Sequence, residues 1–442
     1  MTDAFQQLKP EDKRLVDDAM QAFHADDAAR VREILDRHPA LKPLINAPIG
    51  AFDSPVIVHV RSRQMLDVLL DAGADINGRS RWWAGGFGIL DYASPEVSAY
   101  AIERGAAVDA HAAARLGLVE RLRDLLRQNP ALVHARGGDG QTPLHMAKTV
   151  EVATQLLDAG ADINARDIDH ESTPAQYMTG DRAEVATHLV AQGCQTDLML
   201  AAAIGDVARV REHLDANPAA IRIRVDQQWF PMQNPRAGGT IYQWTLGFHA
   251  SAHQVAHDRG HRHVLDLLME RSPVAVRLLE ACWIEDGDAV EKYRSASAVS
   301  AAAIGEAERV LVAHAARNNR TEAVRLMLEC GLPVDVRGQH QATPLHWAAF
   351  HGNAQMARVV LGYGPPLEVT DADFSATPLE WAIHGSEHGW YARSGDYAAT
   401  VELLLKAGAV APPSRGKGSD AVRAVLARGT APAFSSSSTV AA

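Results

Sequence analysis

The heptapeptide Asp71-Ala72-Gly73-Ala74-Asp75-Ile76-Asn77 recurs letter for letter as Asp158-Ala159-Gly160-Ala161-Asp162-Ile163-Asn164. A verbatim internal copy constrains the fold more than any composition can, because it means that one structural module is used again along the chain. Upstream of each copy lies an apolar-periodic stretch, Met65 to Leu70 and Val152 to Leu157, which reads as a short helix closed by a glycine C-cap.

The same closing position falls at His38, Gly73, Gly105, Asn129, Gly160, Gly193, Asn217, Gly331, Gly364 and Gly408. The steps Gly73 to Gly105, Asn129 to Gly160, Gly160 to Gly193 and Gly331 to Gly364 are 32, 31, 33 and 33 residues. The module openings repeat as well: Thr142-Pro143-Leu144-His145, Thr343-Pro344-Leu345-His346, and the variants Thr173-Pro174-Ala175 and Thr377-Pro378-Leu379-Glu380. Threonine caps a first helix, and proline sits in its first turn, where no backbone N–H is needed. Small pairs such as Ala348-Ala349 let that helix lie close to its neighbours.

These residues at this period resemble the ankyrin repeat family, over nearly the whole chain from Asp12 to Gly429. The resemblance implies an all-α ankyrin-repeat α-solenoid with short β-turn fingers. Twelve units are expected, at 12–45, 52–77, 88–108, 109–134, 141–166, 172–196, 197–223, 251–273, 274–296, 302–336, 342–369 and 376–410, with a capping helix at 418–429. The organisation read from them is an N-terminal array over 1–226, an inserted aromatic hairpin over 227–250, a C-terminal array with its cap over 251–429, and a disordered tail over 430–442 that carries Ser435 to Ser438 in a row.

Function is expected where the period breaks, since a bare repeat needs only to stack. One break is the finger Ser80-Arg81-Trp82-Trp83-Ala84-Gly85-Gly86-Phe87-Gly88. A second, between Asn217 and Arg271, holds Gln227-Gln228-Trp229-Phe230-Pro231-Met232, a Pro/Gly turn, and Thr240-Ile241-Tyr242-Gln243-Trp244; it reads as a β-hairpin. A third is centred on His384-Gly385-Ser386-Glu387-His388-Gly389-Trp390-Tyr391, between two helices of one unit. Each is either a loop that packs on its neighbours or a contact surface. Exposed tryptophan pairs favour contact for the first two.

In the ankyrin family the residue after the histidine of the opening tetrapeptide points into the concave groove that holds partners. Projected onto this chain, that position gives Gln21, Val58, Tyr92, Ala112, Met146, Tyr177, Leu200, Val255, Glu280, His314, Trp347 and Trp381. Tyr92, Met146, Tyr177, Trp347 and Trp381 are the large anchors, with Trp82, Trp83, Trp229, Tyr242 and Trp244 added by the insertions. A tryptophan at a helical position belongs to a core as readily as to an interface. Glu280 and His314 fall side by side in this projection and form a carboxylate–imidazole pair of the kind that does acid–base work.

Other chemistry finds little footing. His249, His253, His257 and His261 are spaced by four but do not share one helix once aligned to the repeat, so no metal ligand set is assigned. His145 and His346 take the family's structural position, where the imidazole bridges loops. Gly85-Gly86-Phe87-Gly88 lacks the strand and helix of a phosphate cradle. No catalytic residue is named and no cofactor is implied.

With 43 Lys plus Arg against 54 Asp plus Glu, the formal charge is -11, which repels phosphate backbones and excludes nucleic acid as a general partner. Cys194, Cys282 and Cys330 show no paired spacing, as in a reducing compartment. Met1 to Lys13 has no signal-peptide core and no run reaches a membrane span's length. A cytoplasmic protein is expected. Only 7 of the basic residues are lysine, a bias of bacterial GC-rich coding, and export as an effector without a cleavable signal remains compatible with the sequence. The expected function is a scaffold that binds a protein partner through the groove and the aromatic fingers. The alternative is a small-ligand or catalytic site around Glu280 and His314.

Overall fold

Each Thr-Pro opening starts a helix for reasons its own atoms supply. In the computed structural model, which describes residues 10–295, 304–412 and 416–428, Thr343 precedes the helix Pro344–Phe350 and donates its backbone N–H to His346 Nδ1 at 3.1 Å. His346 Nε2 donates to the carbonyl of Ala376 in the next module at 3.2 Å. Thr142, His145 and the carbonyl of Ser172 repeat the arrangement at 3.0 and 3.1 Å. A carbonyl only accepts, so the proton sits on Nε2 in both rings. Burial lowers the pKa of His145 to about 3 and that of His346 to about 4, which keeps both neutral at pH 7.

Helix ends follow suit. Gly73, Gly105, Gly160, Gly193, Gly331, Gly364 and Gly408 all hold positive φ, between 67° and 107°. His38, Asn129 and Asn217 close differently, with φ of -128°, -145° and -142°. The two asparagine side chains accept the N–H of Ala131 and Ala219 and so start the 3₁₀ turns Pro130–His134 and Pro218–Arg222. Finger tips use a third device. Asp53, Asp139 and His340 take left-handed backbone, and their carbonyls accept the N–H of Arg81, Ile168 and Ala372 from the following finger at 2.9, 2.8 and 2.9 Å.

The chain divides into two units, Met1–Arg209 with Arg224–Gly247, and Val210–Ile223 with Phe248–Ala442. In the first, several opening helices shrink to a single turn, as in Val56–His59, Ile89–Tyr92 and Pro143–Met146. The next caps arrive too soon for more: Ser62, Ser94 and Thr149 already accept the N–H of Met65, Val97 and Val152. Part of the core of this unit is Ile57, Val58, Met65, Leu66, Leu69, Phe87 and Ala101.

The β-hairpin expected over 227–250 does not form. Among the described residues there is no strand, and the isolated bridge between Gly50 and Ser54 lies outside the insertion. The inserted backbone makes short local turns and otherwise pairs with the finger beside it, not across a hairpin. Gln233 and Asn234 donate their N–H groups to the Glu171 carboxylate at 2.8 and 2.7 Å, Gly238 donates to the Asp169 carbonyl at 2.9 Å, and Ile241 donates to Ser172 Oγ at 3.1 Å. Tyr242–Thr245 then makes one helical turn.

The second unit holds full helix pairs, including Ala252–Asp258 with Arg262–Arg271, Leu311–Arg317 with Thr321–Glu329, Pro344–Phe350 with Ala354–Leu361, and Pro378–His388 with Tyr397–Ala407. The degenerate unit at 274–296 is also a pair, Val274–Trp283 and Gly287–Ser295. Asp420–Arg428 forms the cap, and the tail over 430–442 lies outside the described residues. The apolar seam of this unit includes Trp283, Val312, Leu345, Ala348, Met356, Leu379, Val401 and Val422, and the seam brings the sulfurs of Cys282 and Cys330 to 3.9 Å. No described helix is long and apolar enough to cross a membrane.

Candidate functional site

In the second unit an open groove of about 790 Å³ runs between the helices Pro344–Phe350 and Pro378–His388 and the finger that ends in Phe374. Trp347 and Trp381 lie beneath it. The projection that made them solvent-facing contacts needs correction, because other rings cover them: they meet edge to face at 5.1 Å, and Trp390 stacks on Trp347 at 6.0 Å. The Trp381 indole donates to Asp371 Oδ2 at 2.9 Å, so its polar end is also occupied. They form a floor.

The rim carries the accessible surface. Phe374 is 71% exposed and Trp390 59% exposed, values that isolated core rings never show. Trp390 belongs to the third interruption of the period, which is how the sequence could have flagged it; Phe374 gives only the weaker signal of an aromatic side chain near a finger tip. Arg317 sets the ring positions from behind. Its guanidinium lies 3.7 Å from the Phe248 ring centre, 5.2 Å from Trp390 and 5.5 Å from Trp347, while Nε donates to Gln339 Oε1 at 2.6 Å. Burial lowers the Arg317 pKa to about 10, so it stays charged at neutral pH.

Glu280 and His314 belong to the same unit but are engaged by other groups. The buried Glu280 carboxylate accepts the Ser251 hydroxyl at 2.6 Å, and the His314 ring stacks on His249 with centres 3.4 Å apart and planes 5° from parallel. His253 and His257 lie on Ala252–Asp258, His249 precedes that helix and His261 caps the next, as the alignment of repeats requires.

The remaining sequence-derived residues lie in the first unit. Trp82 packs edge-on against Phe52 at 5.1 Å and tilts over Trp83 at 6.2 Å; Arg236 of the insertion lies 4.4 Å above the Trp83 ring. The finger needs Gly85, since a Cβ there would sit 2.0 Å from the Gly137 carbonyl oxygen. Tyr92 contacts Phe87 at 4.8 Å and remains substantially exposed. Met146 and Trp229 are half-buried, and Trp244 is exposed. Tyr242 is a correction: it is fully buried with its hydroxyl on the Asp197 carboxylate at 3.0 Å, because the insertion plugs the unit rather than extending from it.

Between these rings lies a cluster that sequence reasoning missed. Asp139 at one finger tip faces Asp169 and His170 of the next, with one donor atom from each lying within 4.8 Å of the others. His170 Nδ1 is 2.7 Å from the Gly239 carbonyl, and its Nε2 lies 3.7 Å from Asp169 Oδ2 and 3.9 Å from Asp139 Oδ2. Burial, opposed by His170 and reinforced by Asp169, pushes the Asp139 pKa up to about 6. Burial together with the charges of Asp167, Asp139 and Asp169 holds the Tyr177 hydroxyl well above its usual range. Nothing local in the sequence pairs residues 139, 169 and 239; the juxtaposition is made by stacked finger tips and the folded-back insertion.

Family models for ankyrin repeats match residues 252–373 and 312–412 as arrays of three copies, and residues 139–168 as a single repeat. These stretches are ankyrin repeats. The chain is 40% identical over 72 residues to the serine/threonine-protein kinase VIK of Arabidopsis thaliana, a match covering 16% of this chain and 16% of the kinase. The chain thus spans about a sixth of the length of that curated relative. Among solved structures, the human ASB11 ankyrin repeat domain aligns at 19% identity with a TM-score of 0.26, covering 69% of this chain and 99% of the human domain.

Proposed function

We propose that this protein is a non-enzymatic recognition module, which holds a segment of a protein partner in the aromatic groove of its second unit. The carrying observation is the exposed pair Phe374 and Trp390 standing over the covered indoles of Trp347 and Trp381. Exposed rings on a rigid aromatic floor lose little side-chain entropy on contact and bury large apolar area, the profile of residues that dominate interface energies. His340, Glu380, His384, Glu387 and Lys417 supply a polar border of mixed charge. The partner segment therefore carries one or two large apolar side chains flanked by polar residues. Ankyrin repeats generally serve as protein-interaction modules, which agrees with this reading.

The small-ligand alternative around Glu280 and His314 draws less support, since the carboxylate is already engaged by Ser251 and the imidazole by a second ring.

The test compares recovery of binding partners by the intact chain, by Phe374→Ala/Trp390→Ala, and by Trp244→Ala as an exposed-tryptophan control in the first unit. Partners retained by the control and lost by the double variant, with thermal melts unchanged, are the expected result. Equal recovery by all three proteins would remove the groove from the account.

A further inference from the structure

We propose that Asp139, Asp169 and His170 form a binding site for a divalent transition-metal cation, of the zinc class, clamped between two finger tips and the inserted loop.

The imidazole carries the argument. Its Nδ1 lies 2.7 Å from the Gly239 carbonyl oxygen, which can only accept, so Nδ1 carries a proton and the lone pair for a metal, in the singly protonated ring, is on Nε2. That lone pair faces two carboxylate oxygens, at 3.7 and 3.9 Å. Three acceptors turned toward one another repel unless a cation lies between them, and these separations are too long for a direct hydrogen bond. They suit ligands of one ion: tetrahedral donors at zinc–nitrogen and zinc–oxygen lengths of about 2.0–2.2 Å stand about 3.4 Å apart. All three donors fall within 4.8 Å, so small side-chain rotations close the set. A carbonyl on the far nitrogen is also the usual outer partner of a metal-bound histidine, fixing both tautomer and ring plane.

A second observation points into the same space. Tyr177 is more than nine-tenths buried, its ring lies 6.1 Å from that of His170, and its hydroxyl has no hydrogen-bond partner among the described residues. That buried donor, left open beside the carboxylates, is accounted for by water or another small group completing the coordination of a cation held by only three protein ligands. One imidazole with two carboxylates favours zinc or a neighbouring first-row ion over calcium, whose ligands are all oxygens.

The full chain, freed of metal by a chelator, is titrated calorimetrically with Zn²⁺, and with Co²⁺ followed by its visible absorption. One equivalent binds in the expected case. Asp139→Asn and His170→Gln each weaken it more than about 100-fold, beyond the 10–100-fold cost of losing an outer partner. Asp139→Asn keeps the backbone carbonyl that joins the fingers, so folding, checked by circular dichroism, does not confound it. His384→Gln/His388→Gln, which removes the adjacent histidine pair of Pro378–His388, leaves the affinity unchanged. Absence of binding, equal binding by Asp139→Asn, or loss in the His384/His388 variant would overturn the assignment.

Discussion

His145 and His346 show how much a single residue type does here. Each imidazole accepts from its own threonine and donates to a carbonyl of the next module, and each is buried, with pKa values lowered from 6.5 to about 3 and about 4. The denatured chain therefore takes up more protons than the folded one below about pH 6.5, so the stability these rings provide is complete above that pH and is lost as pH falls toward their folded values. For His346 alone the loss on moving from pH 7 to about pH 5 amounts to about 2 kcal/mol. Urea midpoints measured across this range should fall with acidity, and His346→Gln should show a flatter profile than the native chain; parallel profiles would refute the linkage. Both roles were legible in the sequence because the Thr-Pro-Leu-His motif is local. Tyr242 was not, since an aromatic residue inside an insertion gives no sign that Asp197 awaits its hydroxyl.

At the scale of elements, the groove depends on one close approach. Gly385 lies where a Cβ would sit 2.5 Å from the Phe350 carbonyl oxygen and 2.9 Å from the Tyr397 ring, so only glycine lets the helix Pro378–His388 lie this near Pro344–Phe350. Gly385→Ala should lower the melting temperature by several degrees, matching a cost of roughly 1–3 kcal/mol for overpacking, and should increase the solvent quenching of tryptophan fluorescence as the floor loosens. An unchanged melt and spectrum would show that the helices yield without cost. Helix pairs and their glycine ends were readable from periodicity, which is a property of short segments. The failed hairpin has the opposite cause: aromatic, β-prone stretches around a Pro/Gly turn satisfy the local pattern, but Glu171, Asp169 and Ser172 of a neighbouring finger compete for the same backbone donors and win.

Across the whole molecule, the formal charge of -11 sets what the surface attracts. The protein should pass through heparin and double-stranded DNA columns at physiological salt; retention there would mean that a local basic patch outweighs the net field. The rims of Glu, His and Lys around the aromatic groove belong to this mixed surface. The carbonyls of Asp53, Asp139 and His340 that receive an N–H from the following finger tie each tip to the next through main-chain atoms, with Arg136, Arg337 and the His340 side chain adding contacts at two of them. The scaffold is thus indifferent to most of the side chains displayed there, and descendants of this chain are at liberty to exchange a carboxylate for an imidazole or a ring at any tip, trading one ligand chemistry for another while the architecture is inherited intact.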